Sequence, residues 1–334
     1  MKFLILIIIL LSSNISAKTI LKKSGQVNSF NEKGEESAII KDDGYYKIGV
    51  LPIYARDNNR KIVTDTITNL EWQDNLEAKT VKKPWLTKEN FDKCMANNGE
   101  IQDISKCTDT QGDTATTYCK KLTLGGYTNW RLPTANELMY ITNKGRANPA
   151  IDTNYFKNIV SKPYWSSTPV SIDKDGAWAI NFYHGGGNSW SYKSSLNYIR
   201  CVRDKGLKTP LKNRFKRDKI GIVFDNKYHL KWQDSYKNGI KKANWIDAIN
   251  YCENLKLGGY KWRLPNFNEL YYLANRSKDK ISIDSLFINT ITKTYWSSTS
   301  IVNKERGAWG INFNGGGENW NGKNRELYVR CVSN

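Results

Sequence analysis

Few residues of this chain have the type and spacing expected for catalysis or metal binding. The 334-residue sequence contains only two histidines, His184 and His229, and they stand at unrelated points. A histidine metal site or a His-dependent catalytic triad is therefore not expected. The six cysteines are an even number, so all can be assigned to disulfides and none is left as a thiol nucleophile. We accordingly expect no enzymatic activity, no metal site and no cofactor.

Two glutamates, Glu137 and Glu269, stand in matching contexts and resemble a pair of catalytic acids. Each follows a Thr or Asn by three residues, Thr134 in one case and Asn266 in the other. This is the spacing of a capping box, in which the Glu side chain bonds back to the residue that starts a helix. The two glutamates are therefore expected to start helices rather than to transfer protons.

The elements that must position these residues occur twice. Trp-Arg-Leu-Pro is found at 130–133 and 262–265, each time after Leu-Gly-Gly-Tyr and, further upstream, Tyr-Cys at 118–119 and 251–252. A match of this length with its neighbours in the same order indicates a tandem duplication. The arginine of each motif is expected to hold a backbone or carboxylate network in place.

Each copy shows the same order of predicted elements. A hairpin ends in Trp-Gln-Asp, an amphipathic helix carries Tyr-Cys, and a second helix follows the proline. Tyr-Trp-Ser-Ser-Thr, an alternating strand, a triple-Gly turn and a closing strand (198–203 and 328–332) complete the copy. Eight tryptophans in these elements are predicted to be core residues: Trp72, Trp130, Trp165, Trp178, Trp232, Trp262, Trp296 and Trp309.

The cysteines can be paired from this order. The first copy has an insertion of about 27 residues between hairpin and helix, and Cys94 and Cys107 both lie in it. The simplest inference is that these two bond to each other. Each copy also has one Cys in its first helix and one in its last strand, so that Cys119–Cys201 and Cys252–Cys331 would make both copies self-contained.

The N-terminus reads as a secretory signal peptide at 1–17, with an apolar run too short to span a bilayer. We predict a flexible lead-in at 18–41, a first repeat with its insertion at 42–203, a basic linker at 204–218 and a second repeat at 219–334. An exported protein in the periplasm, on the cell surface or secreted is expected, with no transmembrane segment after signal removal.

The composition is strongly basic, with a formal net charge of +19. This charge favours polyanionic partners, and codon bias toward Lys is an equally open explanation. Trp190 and Trp320 stand just past the triple-Gly turns, beside Asn188 and Asn319, where an exposed ring could stack on a sugar. The cationic candidates for ligand contact are Lys205, Lys208, Lys212, Arg214, Lys216, Arg217 and Lys219 in the linker, with Lys241 and Lys242.

The motif order resembles the bacterial domain of unknown function 1566, also called the Legionella collagen-like protein C-terminal domain. The resemblance covers nearly all of 42–332 in two copies. It implies an α+β fold of two tandem C-type lectin-like domains, each with two helices packed on a curled antiparallel sheet and a helix-to-last-strand disulfide. It also implies an extracytoplasmic role and binding of sulfated glycosaminoglycans. The chain lacks a collagen segment and the Glu-Pro-Asn and Trp-Asn-Asp signatures of calcium-dependent lectins.

The expected function is an adhesin-like, exported binding protein for anionic or sulfated polysaccharide on a cell surface or matrix. One alternative is a protein–protein interaction module of the cell envelope. A second is a relative of the formylglycine-generating enzymes, which share a distantly similar fold and need reactive cysteines. A physiological nucleic-acid partner is not expected for an exported chain.

Overall fold

The structure, a computed structural model, describes residues 21–95, 107, 111–186, 190–204, 213–236, 239–278 and 280–334. The predicted signal peptide at 1–17 and most of the basic linker lie outside these residues. Among the described residues the longest helix has nine residues, and no helix has the length and apolar character needed to cross a membrane.

The lead-in, which carries α1, and the first repeat are built from short elements. In chain order they are α1 Asp43–Tyr46, β1 Tyr54–Asp57, β2 Ile62–Asp65, β3 Leu70–Gln73, a 3-10 turn at Leu76–Lys79, β4 Lys82–Lys83, α2 Lys88–Cys94, α3 Ala115–Lys121, α4 Ala135–Tyr140, β5 Pro163–Pro169, β6 Gly176–Asn181, β7 Trp190–Tyr192, β8 Asn197–Tyr198 and β9 Val202–Asp204.

The second repeat follows the same order, and its described residues form no counterpart of α1, the 3-10 turn or the insertion helix α2. Its elements are β10 Phe215–Arg217, β11 Ile222–Asp225, β12 Leu230–Gln233, β13 Lys242–Ala243, α5 Trp245–Glu253, α6 Phe267–Leu273, β14 Thr294–Ser300, β15 Gly307–Asn312, β16 Glu318–Gly322, β17 Leu327–Tyr328 and β18 Val332–Ser333.

Each repeat contributes two sheets. The first is four-stranded and antiparallel, in the order β1-β2-β3-β9 or β10-β11-β12-β18. The second is five-stranded, in the order β4-β8-β5-β6-β7 or β13-β17-β14-β15-β16, with one parallel pairing between β5 and β8 or β14 and β17. The predicted hairpins are confirmed, and the structure adds to each a third strand that the sequence pattern did not show, β1 or β10.

The predicted C-type lectin-like α+β fold is wrong. The described structure is mostly β, with four small sheets in a four-bladed, propeller-like arrangement and six α-helices of at most nine residues. The expected single closing strand at 198–203 is split, because β8 pairs in one sheet and β9 in the other. Between them the buried Arg200 donates to Asp74 and to the Gln73 carbonyl, which holds the crossing segment between the two sheets.

The helix joints follow the prediction. Thr134 with Glu137 and Asn266 with Glu269 form reciprocal capping boxes at α4 and α6. Glu137 also pairs with Arg131 at 2.7 Å, and Glu269 pairs with Arg263 at 2.6 Å. Glu137 and Glu269 therefore serve the helix starts. All eight tryptophans predicted to be core residues are buried.

The three predicted disulfides, Cys94–Cys107, Cys119–Cys201 and Cys252–Cys331, are confirmed. Cys119 and Cys201 lie in a core of the first repeat, and Cys252 and Cys331 lie in the matching core of the second. A larger core contains residues of both repeats. The repeats meet symmetrically there, since Lys144 lies 4.7 Å from the Trp309 ring and Arg276 lies 5.7 Å from the Trp178 ring.

The lead-in is docked on the second repeat, although its lack of a period predicted flexibility, and it extends beyond the predicted boundary at residue 41 through α1 to Ile48. Asn268 Nδ2 donates to the Lys22 carbonyl at 2.7 Å, and the Ser300 amide donates to Gln26 Oε1 at 2.7 Å. The Thr299 hydroxyl donates to the buried Asp43 carboxylate at 2.6 Å. Irregular backbone is stabilised here by specific hydrogen bonds, which leave no periodic trace in the sequence.

Candidate functional site

Trp320 lies in the edge strand β16 of the second repeat, directly opposite Trp309 of β15. Trp309 is buried, whereas 52% of the Trp320 surface is exposed. The edge position of β16 explains the contrast, because directly paired residues share one face of the sheet and only the edge strand borders solvent along its outer side. A large exposed aromatic ring is thus held on a rigid sheet, as predicted from its place after the triple-Gly turn.

The turn that leads into β15 brings cations to this ring. Lys304 and Arg306 are exposed in it, and Lys304 Nζ lies 5.4 Å from the centroid of the Trp320 ring. This distance is within the range of a cation–π contact. Glu305 stands between the two cations and accepts a hydrogen bond from the Asn303 amide at 2.7 Å. The turn therefore presents two positive groups beside an aromatic face.

The docked lead-in forms the opposite wall. Arg306 Nε donates to the Lys33 carbonyl at 3.1 Å, and Gly34 packs against the backbone of residues 305–306 so closely that a Cβ would lie 2.9 Å from the Arg306 amide nitrogen. A cavity of about 430 Å³ opens between these segments. We call it the Trp320 cleft, and its lining includes Lys33, Gly34, Lys304, Glu305, Arg306, Gly307, Trp320 and Gly322.

A second cavity of about 270 Å³ adjoins the other side of Trp320 and Lys304. The first repeat contributes Tyr183 and His184 to its lining, and the second contributes Asn319. Burial, followed by the charges of Lys304 and Lys144, lowers the pKa of His184 below its ordinary value. His184 is therefore neutral at pH 7, which leaves Lys304 as the cation of this cavity. Asn319 donates to the Thr294 hydroxyl at 3.1 Å, which fixes its amide group.

The corresponding tryptophan of the first repeat has a different setting. Trp190 is 39% exposed and packs on Gly176, where an added Cβ would lie 2.8 Å from the indole Cε3. The Tyr192 ring lies 5.3 Å from the Trp190 ring, at the position where the second repeat has Gly322. Asp173 and Asp175 stand where the second repeat has Lys304 and Arg306. Among the described residues, cations stand beside the exposed ring at Trp320 and not at Trp190.

Two of the predicted cationic contacts are used inside the fold. Arg214 makes a two-pronged ion pair with the buried Asp225, at 3.0 and 2.6 Å, and Arg217 pairs with the buried Asp234. Residues 215–217 form β10 rather than linker, because the strand gains its hydrogen bonds by pairing with β11. Both arginines therefore fasten β10 to the second repeat.

The other predicted contacts divide into two groups. Lys216, Lys219, Lys241 and Lys242 are exposed, and Lys242 lies 3.5 Å from Glu326. Asn188, Lys205, Lys208 and Lys212 lie outside the described residues. His229, for which no metal or catalytic role was predicted, lies in the hairpin turn between β11 and β12 with a left-handed φ of 55°. None of the described members of these groups borders the Trp320 cleft.

Lys33, Lys304 and Arg306 were not among the residues predicted from the sequence. The first lies in a segment without a period, so only the fold shows where it docks. The other two carried a signal, because aligning the repeats places Lys304-Glu305-Arg306 opposite Asp173-Lys174-Asp175. A reversal of charge beside a retained Trp is visible in the sequence once the copies are aligned.

Comparison with known proteins places the chain in a family. The profile of the Lcl C-terminal domain matches residues 61–203 and again residues 221–333. No curated protein matched the chain. The two matched segments agree with the duplication and with the two sets of sheets. The chain belongs to the Lcl C-terminal domain family, whose domain it contains in two tandem copies.

Proposed function

We propose that the chain is an exported binding protein for anionic polysaccharide, and that its second repeat holds the polymer at the Trp320 cleft. The ring of Trp320 would stack on the apolar face of a sugar. Lys33, Lys304 and Arg306 would pair with sulfate or carboxylate groups on the same or neighbouring sugars. The net charge of +19 adds a long-range attraction for any polyanion.

The observation that carries this proposal is the position of Lys304. Its ammonium lies 5.4 Å from the Trp320 ring and borders the cavities on both sides of that ring. A polymer that crosses Trp320 would pass Lys304 from either side. Such binding would depend on salt, because exposed charges are screened within about 8 Å at physiological ionic strength.

Elution from immobilised heparin along a salt gradient tests the proposal, with Trp320→Ala and the matched control Trp190→Ala. We expect Trp320→Ala to elute at clearly lower salt and to bind heparin about tenfold more weakly in solution. Trp190→Ala should elute with the unmodified protein, since its ring has no cation beside it among the described residues.

Equal shifts for both variants, or none for either, would refute the assignment to the Trp320 cleft and leave retention to net charge alone. No retention of the unmodified protein at physiological salt would refute polyanion binding. It would favour the envelope interaction module, which pull-down from native envelope would then test.

A further inference from the structure

A larger cleft, of about 880 Å³, lies along α5 of the second repeat. Lys241 on its wall immediately precedes β13, the edge strand opposite β16, so this cleft is separate from the Trp320 cleft. Its polar walls carry Lys241, Lys256, Asn250 and Asn254 around the ring of Tyr251. We call it the Tyr251 cleft.

The hydroxyl of Tyr251 has a fixed direction. The Cys331 amide donates to Gln233 Oε1 at 3.2 Å, which identifies the other end of that side chain as the NH₂ group. Gln233 Nε2 then donates to the Tyr251 oxygen at 2.7 Å. With this donor on its oxygen, the tyrosine has one proton to donate to an acceptor of its own.

The first repeat shows what that acceptor is. There the Cys201 amide donates to Gln73 Oε1 at 3.0 Å, and Gln73 Nε2 donates to the Tyr118 oxygen at 3.0 Å. Tyr118 in turn donates to the carboxylate of Glu77, at 2.6 Å from Oε2. The chain of donors is the same in both repeats up to the phenol, and in the first it ends on a carboxylate.

The second repeat has no carboxylate at this point of its sequence. The segments from Trp72 to Lys82 and from Trp232 to Lys242 have the same length, and they place Lys237 opposite Glu77. Lys237 itself lies outside the described residues, and among the residues that are described none accepts the proton of Tyr251. Tyr251 itself lines the Tyr251 cleft, so an acceptor for its proton can come from a ligand in that cleft.

We infer that the Tyr251 cleft binds the carboxylate of a hexuronic acid residue, in the place that Glu77 takes in the first repeat. Lys241, whose Nζ lies 5.9 Å from the Tyr251 ring, and Lys256 supply positive charge. The amides of Asn250 and Asn254 are suited to sugar hydroxyls, and the volume is ample for one or two sugar rings. The acidic side chain in the lining, Asp247, is engaged with Asn244 at 2.8 Å.

This inference rests on the proposed function for the class of ligand, an anionic saccharide, but it uses different residues. Titration of the full exported chain with glucuronic acid, followed by NMR, tests it. We expect glucuronic acid to bind and glucose, which lacks the carboxylate, to show no saturable binding. Tyr251→Phe should weaken the binding of glucuronic acid at least about tenfold, because a hydrogen bond to a charged group is lost.

Tyr118→Phe is the matched control, since it removes the same hydroxyl from the repeat whose acceptor is internal. It should bind glucuronic acid like the unmodified protein, and a cooperative thermal transition in both variants would show that they fold. Equal affinity of Tyr251→Phe and the unmodified protein, or binding of glucose as tight as that of glucuronic acid, would overturn the inference.

The two proposals fail separately. Loss of heparin retention in Trp320→Ala supports polysaccharide binding at the Trp320 cleft. This variant should bind glucuronic acid with unchanged affinity. Loss of glucuronic acid affinity in Tyr251→Phe supports the second even when heparin is not retained.

Discussion

The surroundings of the exposed tryptophans differ between the repeats more than the strands that carry them do. Trp190 and Trp320 occupy the same position opposite a buried tryptophan of the neighbouring strand. The first ring has Tyr192 beside it and two aspartates in the neighbouring turn, and the second has Gly322 beside it and two cations in the neighbouring turn. Duplication has thus kept the scaffold and changed the loops, so the ligand site should be sought where the copies differ.

The lead-in adds a second difference. Asn266 donates to the Ile48 carbonyl at 3.3 Å, and the Arg263 guanidinium lies 5.9 Å from the Tyr46 ring. Consequently the Arg263 side chain is only 7% exposed, whereas its counterpart Arg131 is 37% exposed. The same joint is buried in one repeat and half open in the other.

The largest expected effect separates these two joints. Glu269→Ala would remove the ion-pair partner of the buried Arg263, whose guanidinium would keep a hydrogen bond to the neutral Asn334 side chain at 2.8 Å. The loss should cost about 3 to 5 kcal/mol of unfolding free energy. Glu137→Ala removes the same cap and ion pair at a half-exposed site, where Arg131 keeps Asp204 as a partner at 2.7 Å. It should cost about 1 to 2 kcal/mol. Urea unfolding followed by tryptophan fluorescence measures both, and equal losses would contradict the role given to the lead-in.

The helix starts and the disulfides could be predicted from the sequence, because capping follows local spacing and the cysteines recur in both repeats. Glu137 follows its cap by three residues, and Cys119 and Cys201 recur as Cys252 and Cys331. The disulfides, the helix starts and the buried tryptophans therefore followed from pattern and repetition.

The fold class did not follow, because it depends on which strands pair. A continuous pattern at 198–203 cannot show that Tyr198 joins one sheet and Val202 the other. Only part of the candidate site could be predicted from the sequence. Trp320 was predicted from its place after the glycines. Lys33 lies in a segment without a periodic pattern, and its docking depends on a contact with Arg306 in a distant part of the chain.

The docked lead-in should make the stability of the protein depend on pH. Burial, followed by the nearby charges of Glu269 and Asp42, raises the pKa of Asp43 to about 7. A carboxyl whose folded pKa exceeds its unfolded pKa contributes stability that is full below about pH 4 and is lost as the pH rises to about 7. Asp43→Asn should abolish this loss, on the order of 4 kcal/mol. Melting temperatures between pH 4 and 8 should therefore fall less in the variant, and parallel curves would contradict the assignment.

The charges of the two turns can be exchanged between the repeats by substitution. Lys304→Asp with Arg306→Asp gives the second repeat the acidic pair of the first, and heparin binding should weaken by about tenfold, or about 1.4 kcal/mol. The reciprocal change, Asp173→Lys with Asp175→Arg, adds the same number of positive charges elsewhere. If the Trp320 cleft is the site, the reciprocal change should not restore binding when both are combined. Full restoration of heparin affinity would show that only net charge matters.

The smallest expected effect lies in the two tyrosines. Tyr118→Phe loses the hydrogen bond to Glu77 and leaves the Gln73 amide without its phenol acceptor, which should cost about 1 kcal/mol of stability. Tyr251→Phe loses only the contact with Gln233, since its own proton has no acceptor among the described residues, and should cost about half as much. Adding glucuronic acid should stabilise the unmodified protein and Tyr118→Phe but not Tyr251→Phe, because a ligand stabilises only the fold that binds it. Thermal melting with and without the sugar acid measures the difference, and an equal gain in all three proteins would place the ligand elsewhere.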